Sequence, residues 1–118
     1  MALLSEMKCS VCQVGDTPLT DSEIHAGLSS LPDWELITEN GVKKLSRAFK
    51  FYDFLSALKF THAVGMLAEE QGHHPTLITA WGQVTVIWWT HKINGLHEND
   101  LIMAAKTDLL YTPQKKED

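Results

Sequence analysis

A long helical pattern in the middle of the chain most constrains the fold. Apolar residues recur with a period of 3.6 from about Tyr52 to Glu70, which predicts a helix with a broad apolar stripe. Gly72 can end this helix in the left-handed conformation, and Pro75 favours an extended chain just after it. Such a stripe must be covered by another layer of secondary structure.

Hairpin patterns on both sides of the helix supply that layer. Asn40-Gly41 is a strong hairpin signal, because both residues tolerate positive φ. The strand that follows Gly82-Gln83 carries bulky residues on both faces, which indicates a central position in a sheet. The predicted strands are 34–38, 42–49, 77–81 and 84–90.

Two further helices complete the pattern. The sequence from Thr20 to Glu23 is a capping box and predicts a helix over about 21–30, and a last helix is predicted over about 98–110. The order α-β-β-α-β-β-α predicts an α+β fold of two layers, with a four-stranded antiparallel sheet and three helices on one face. The uncovered face favours self-association. We predict a flexible N-terminal arm over 1–19, one domain over 20–112 and a charged tail over 113–118.

Charge and hydropathy exclude several classes of protein. The 118 residues carry a net charge of −5, whereas proteins that bind nucleic acid through a general positive field are basic. No apolar run approaches the roughly 20 residues of a membrane helix. The first residues lack the basic and apolar regions of a signal peptide, so we expect a cytoplasmic protein with no membrane or nucleic-acid partner.

Three histidines are the candidates for chemistry. His73 and His74 stand between Gly72 and Pro75, and His91 ends the strand whose partner begins after Pro75. Hairpin pairing therefore predicts that the three imidazoles are close together. Since an imidazole exchanges protons near neutral pH, we expect a site that moves protons on a small substrate. The alternative for the adjacent pair is a simple helix end stabilised by a charged histidine.

Metal binding is the rival interpretation. Three histidines can hold a catalytic zinc ion, but adjacent histidines suit one tetrahedral ion poorly, and we predict no metal. Cys9 and Cys12 form a C-x-x-C motif without a preceding strand or a second such motif, so two reduced thiols are favoured over a histidine-assisted zinc site. His97 is predicted to cap the last helix.

The spacing of these residues is that of a known family. Glu69-x-x-x-His73-His74-Pro75, followed by Trp81, His91 and Asp100, resembles the signature of the pterin-4a-carbinolamine dehydratases. Trp34 within Leu-Pro-Asp-Trp and the pairs Thr90-His91 and Gly95-Leu96 are also similar to that family. The resemblance extends over nearly everything from Thr20 to Asp108.

The resemblance implies a hydro-lyase that dehydrates a 4a-hydroxytetrahydropterin to the quinonoid dihydropterin and water. This reaction recycles the pterin cofactor of phenylalanine hydroxylase. Family members use no metal or organic cofactor and form homodimers or homotetramers, and animal members also serve as dimerisation cofactors of a homeodomain transcription factor. The alternatives are a non-catalytic dimerisation or regulatory partner on the same fold, and a pterin-binding homologue in another pathway.

On this resemblance, the site residues have separate expected roles. His73 and His91 are the acid and base, in an order that the sequence leaves open, and His74 holds the pterin ring. Gly72 is a departure, because animal members commonly have an acid there, so Glu69, Glu70 or a neighbouring subunit would have to supply any orienting carboxylate. The remaining expected residues are Trp34 as an apolar wall, Glu69 and Trp81 in substrate binding, and Asp100 and Pro75 in structural support.

Overall fold

A computed structural model describes residues 4–7, 9 and 17–112 of the chain. It confirms the predicted α+β fold and the order of its elements. The arm and tail boundaries stay predictions, and Cys12 lies outside the described residues. The elements are α1 (Asp21–Leu28), β1 (Glu35–Glu39), β2 (Val42–Lys50), α2 (Phe54–Gln71), β3 (Thr76–Ala80), β4 (Gln83–Trp88) and α3 (Glu98–Leu110), with short 3₁₀ helices at Leu4–Glu6 and His91–Ile93.

The four strands form one antiparallel sheet in the order β1-β2-β4-β3. The two hairpins thus join through β2 and β4. Strand β4 is central, as predicted from the bulky residues on both of its faces. Asn40 and Gly41 have φ values of 52° and 79°, as a hairpin turn between β1 and β2 requires. Within β4 the ladder stops at Trp88, two residues earlier than predicted, because Thr90 pairs instead with Gly95 in an isolated bridge.

Local side-chain chemistry fixes the helix ends. Thr20 and Glu23 form the predicted capping box at α1. The Asp53 carboxylate accepts from the backbone N–H of Ser56 at 2.6 Å and caps α2. Gly72 ends α2 at φ 66°, in the left-handed region that glycine adopts without steric cost.

The core lies between the helices and one face of the sheet. Leu45, Phe49 and Trp88 are fully buried there, and α2 adds Ala57 and Val64. Burying a large apolar side chain stabilises the fold by about 1.5–3 kcal/mol each. The core therefore holds α2 and α3 against β4. Among the described helices, none is long and apolar enough to cross a membrane.

Candidate active site

His73 and His74 follow the end of α2 and lie in different surroundings. The backbone N–H groups of Gly72 and His73 donate to the carbonyls of Glu69 and Ala68 at 3.3 and 3.2 Å, which closes the helix. The chain then becomes extended before β3, so neighbouring side chains diverge. As a result the His73 side chain is 13% exposed and the His74 side chain is 63% exposed.

His73 lies between a ring and a carboxylate. Its imidazole stacks on the indole of Trp88, with ring centroids 5.6 Å apart and planes at 12°. Its Nε2 is 2.6 Å from Oδ1 of Asp100, whose side chain has no exposed surface. Packing and hydrogen bonding together fix both the position and the orientation of the ring.

Asp100 accepts from two further donors. Its Oδ2 accepts from the Thr90 hydroxyl at 2.7 Å and from the backbone N–H of His97 at 2.9 Å. A carboxylate surrounded in this way acts as an acceptor, so Nε2 of His73 carries the hydrogen of their bond. The Nδ1 atom of His73 is then the ring atom that can exchange a proton with a substrate.

His74 makes the corresponding bond to a carboxylate in a different environment. Its Nε2 is 2.7 Å from Oε1 of Glu69, one turn back on α2. The Glu69 side chain is 72% exposed, so solvent screens this pair far more than the pair of His73. Glu69 and His74 are therefore hydrogen-bonded to each other, and the role of Glu69 in substrate binding stays a prediction.

His91 occupies an exposed 3₁₀ helix that follows β4. Its ring lies 4.2 Å from the centroid of the Trp89 ring, and the Lys44 ammonium lies 4.0 Å from that same centroid. Trp88 and Trp89 are successive residues of an extended chain, so their rings point in opposite directions. His73 stacks on the first ring, whereas His91 contacts the second at an interplanar angle of 47°. Among the described residues no hydrogen bond or ring contact joins His91 to His73 or His74, and the convergence of the three rings stays a prediction.

The other expected site residues are spread along the fold. Trp34 is buried, donates its indole N–H to Asp108 at 2.8 Å and packs edge-on against Phe49. Trp81 is exposed at the turn of the β3–β4 hairpin, opposite the end that carries His73. Pro75 directly precedes β3 and is half-buried. Their expected parts in substrate binding and support stay predictions.

Two parts of the site were missed from the sequence. Thr90 and the backbone of His97 complete the bonds of Asp100, and Trp88 supplies the stacking surface of His73. The available signal for Thr90 was its place at the end of the predicted strand 84–90, and Trp88 shares one face of that strand with Val84 and Val86. His97 caps α3 as predicted, since its Nδ1 accepts from the backbone N–H of Asn99 at 3.0 Å.

Cys9 lies beside this network. Its backbone N–H donates to the side-chain oxygen of Gln71 at 3.2 Å, and its Sγ is 4.0 Å from the carbonyl oxygen of Asn99. Burial raises the pKa of the Cys9 thiol, the nearby charge of Asp100 raises it further, and Lys106 partly opposes both. In the part of the chain that the structure describes, no three histidine, cysteine or acidic side chains are grouped to hold a metal ion.

Comparison with known proteins identifies the family of this architecture. The family model described as pterin 4 alpha carbinolamine dehydratase matches residues 17–110. A bacterial relative from Syntrophotalea carbinolica, named "Putative pterin-4-alpha-carbinolamine dehydratase", is 57% identical over 110 residues, which cover 93% of this chain and 98% of the relative. A relative of the same name from Microcystis aeruginosa is 49% identical over 97% of this chain and 98% of its own.

A solved structure agrees with these relatives. The crystal structure of a transcriptional coactivator/pterin dehydratase from Brucella melitensis superimposes with a TM-score of 0.72 at 35% identity. The superposition covers 80% of this chain and 98% of that one.

Proposed function

The chain belongs to the pterin-4a-carbinolamine dehydratase family, and on this premise we propose that it dehydrates a 4a-hydroxytetrahydropterin by histidine acid–base catalysis. The products are the quinonoid dihydropterin and water. The observation that carries the proposal is the hydrogen bond of 2.6 Å between His73 and the buried carboxylate of Asp100. It resembles the histidine–carboxylate pairs that set the tautomer of a general acid or base.

The reaction needs two proton transfers. The bond between C4a and its hydroxyl breaks as that oxygen takes up a proton and leaves as water. The proton on N5 is removed, and the N5 electron pair forms the C4a–N5 double bond. Each general acid or base contributes typically about 10²–10⁴-fold to such a step. One group that gives a proton and one that accepts it are therefore enough, without an oxidant or reductant.

We assign one of these transfers to Nδ1 of His73, because Nε2 is committed to Asp100. His91 is the proposed second group, as an exposed imidazole that a bound pterin could reach. His74 and Glu69 are proposed to hold the ring, since the remaining nitrogen of His74 and the free carboxylate oxygen can meet the amide and amine groups of a pterin. Trp34 stays a proposed substrate contact.

The test is the dehydration rate of 4a-hydroxytetrahydropterin that a hydroxylase generates in situ, followed by ultraviolet absorbance. The protein should accelerate dehydration beyond the spontaneous rate, and His73→Ala and His91→Ala should each lose most of this acceleration. His25→Ala is the matched control, because His25 is an exposed histidine on α1, outside the site. A rate equal to the spontaneous one would overturn the proposed reaction.

We further propose that the activity recycles the pterin used by phenylalanine hydroxylase and that the protein is a homodimer or homotetramer. Exposed apolar side chains support self-association, since contiguous ones on a protein surface commonly mark interfaces. They lie on α2 at Phe54, Leu55, Leu58 and Met66 and on β3 at Ile78. Light scattering during gel filtration tests the assembly, and a monomer at micromolar concentration would contradict it.

A non-catalytic regulatory role is the second candidate. It is favoured by the Brucella melitensis structure, whose name joins transcriptional coactivator to pterin dehydratase. The dehydration assay separates the two, since a purely regulatory protein would leave the spontaneous rate unchanged.

A further inference from the structure

The first described residues of the chain lie against the helix that carries Asp100. We call Leu4–Met7 and Cys9 the N-terminal strap. Its 3₁₀ helix at Leu4–Glu6 packs on α3, and Leu4 contacts the core. The Lys106 ammonium donates to the carbonyl of Ser5 at 2.9 Å, so a side chain of α3 holds the strap.

The strap also reaches α2. The backbone N–H of Cys9 donates to the side-chain oxygen of Gln71 at 3.2 Å, and Gln71 is the last residue of α2, two positions before His73. This bond joins residues 62 positions apart in the sequence. It links the strap to the helix end from which His73 projects.

Cys9 contacts α3 on its other side. Its Sγ is 4.0 Å from the carbonyl oxygen of Asn99, the residue before Asp100. The charge of Asp100 contributes to raising the pKa of the Cys9 thiol, which agrees with their proximity. One residue therefore touches the two helix ends whose separation sets the bond between His73 and Asp100.

We propose that Gln71 and Lys106 are positioning residues that act through the N-terminal strap to hold the His73–Asp100 pair in its reactive geometry. Gln71 fixes the strap at the end of α2, and Lys106 fixes it along α3. A small displacement of either end changes the alignment of a hydrogen bond, and catalytic rates respond strongly to such alignment. This inference rests on the proposed function for its kinetic readout alone.

The experiment compares Gln71→Ala, Gln71→Glu and Lys106→Met with wild type in the full chain. Gln71→Ala removes the acceptor without disfavouring the helix, and Gln71→Glu keeps an acceptor oxygen at the same reach. Lys106→Met removes the donor to Ser5 and keeps the aliphatic stem. Gln83→Ala is the matched control, because Gln83 lies at the opposite end of the β3–β4 hairpin from His73.

Two readouts are measured for each variant: kcat and KM for dehydration, and the solvent exchange rate of the His73 Nε2–H proton by NMR of histidine-labelled protein. We expect Gln71→Ala and Lys106→Met to lower kcat about threefold to tenfold, the size of one lost hydrogen bond, with KM unchanged. The Nε2–H proton should exchange faster in both. Gln71→Glu should restore both readouts, and Gln83→Ala should match wild type.

Gln71→Ala and Gln83→Ala with the same kcat and the same exchange rate would overturn the proposal. Failure of the proposed function gives a different result, because a wild-type protein without dehydratase activity still reports the exchange rate of His73. Thermal unfolding of every variant identifies any that fails to fold, and Lys106→Met then decides the matter independently of Gln71.

Discussion

Two neighbouring histidines each bond a carboxylate, in environments that differ sharply. The Nε2 atoms of His73 and His74 lie 2.6 and 2.7 Å from their acceptors on Asp100 and Glu69. Asp100 is fully buried and bonded to two other donors, whereas Glu69 and His74 are mostly exposed. The two hydrogen bonds therefore differ in strength although their lengths are similar. Water screens the exposed pair of His74 and Glu69 and competes for its hydrogen bond.

We propose that this difference separates the roles of the inner pair, His73 and Asp100, and the outer pair, His74 and Glu69. The inner pair holds one tautomer and one ring orientation, as proton transfer requires. The outer pair is mostly exposed and therefore accessible to a ligand, which suits binding. Substitutions in the two pairs should therefore differ in the size and kind of their effects.

The largest expected effect comes from removing the two rings in turn. His73→Ala should lower kcat by about 10²–10⁴-fold, the usual contribution of a general acid or base. His74→Ala should change KM more than kcat, by about twofold to tenfold, as expected for a lost binding hydrogen bond. Steady-state kinetics of both variants check this, and equal effects on kcat would remove the distinction between the pairs.

The second effect concerns stability. Asp100→Ala leaves the buried Thr90 hydroxyl and the backbone N–H of His97 without their acceptor. We expect the free energy of unfolding to fall by about 1–3 kcal/mol, the cost of an unsatisfied buried polar group. Glu69→Ala should stay within about 0.5 kcal/mol of wild type, as surface substitutions usually do. Urea unfolding measures both values. A free energy of unfolding for Asp100→Ala equal to that of Glu69→Ala would show that burial does not distinguish the two carboxylates.

A smaller effect is expected from the outer carboxylate alone. Glu69→Gln keeps an acceptor for His74 and removes the charge, so KM should change by no more than about fivefold, the range of an exposed ion pair. High salt should reduce the difference between this variant and wild type, because salt screens exposed charges. A large loss of kcat in Glu69→Gln would instead place Glu69 in proton transfer.

The smallest expected effect is on the reactivity of Cys9, whose thiol reports the charge of the Asp100 carboxylate. Burial and then the Asp100 carboxylate raise the pKa of its thiol, so fewer thiolates are present at a given pH than for an ordinary cysteine. Asp100→Asn removes the second cause, so the pKa should fall and alkylation at fixed pH should become faster. The measurement is made in a Cys12→Ser background. No change in the alkylation rate would mean that Asp100 carries no charge near the thiol.

The sequence predicted much of the frame because its signals are local. The capping box at Thr20, the turn at Asn40-Gly41 and the left-handed Gly72 are each set by a few adjacent residues, and all three are confirmed. The bulky residues on both faces of the strand after Gly82-Gln83 likewise predicted its central position in the sheet, which is confirmed.

The hydrogen bonds around Asp100 could not be predicted from local sequence in the same way. Asp100 meets His73 across 27 positions, and its second oxygen meets Thr90 across 10, so the bonds depend on how α2, α3 and β4 pack. Pairing rules placed His91 near His73, but they do not describe the 3₁₀ helix that begins at His91, after the ladder stops at Trp88. The contacts of Cys9 depend on the same packing of α2 against α3.

The most direct test of the central claim is kcat for 4a-hydroxytetrahydropterin dehydration by Asp100→Asn. The asparagine oxygen can still accept from Thr90 and His97, but its NH₂ group then faces Nε2 of His73 and moves the ring proton to Nδ1. We expect a folded protein with kcat about 10²–10⁴-fold lower. A folded variant with the kcat of wild type would contradict the account, because His73 would then work without the tautomer that Asp100 imposes.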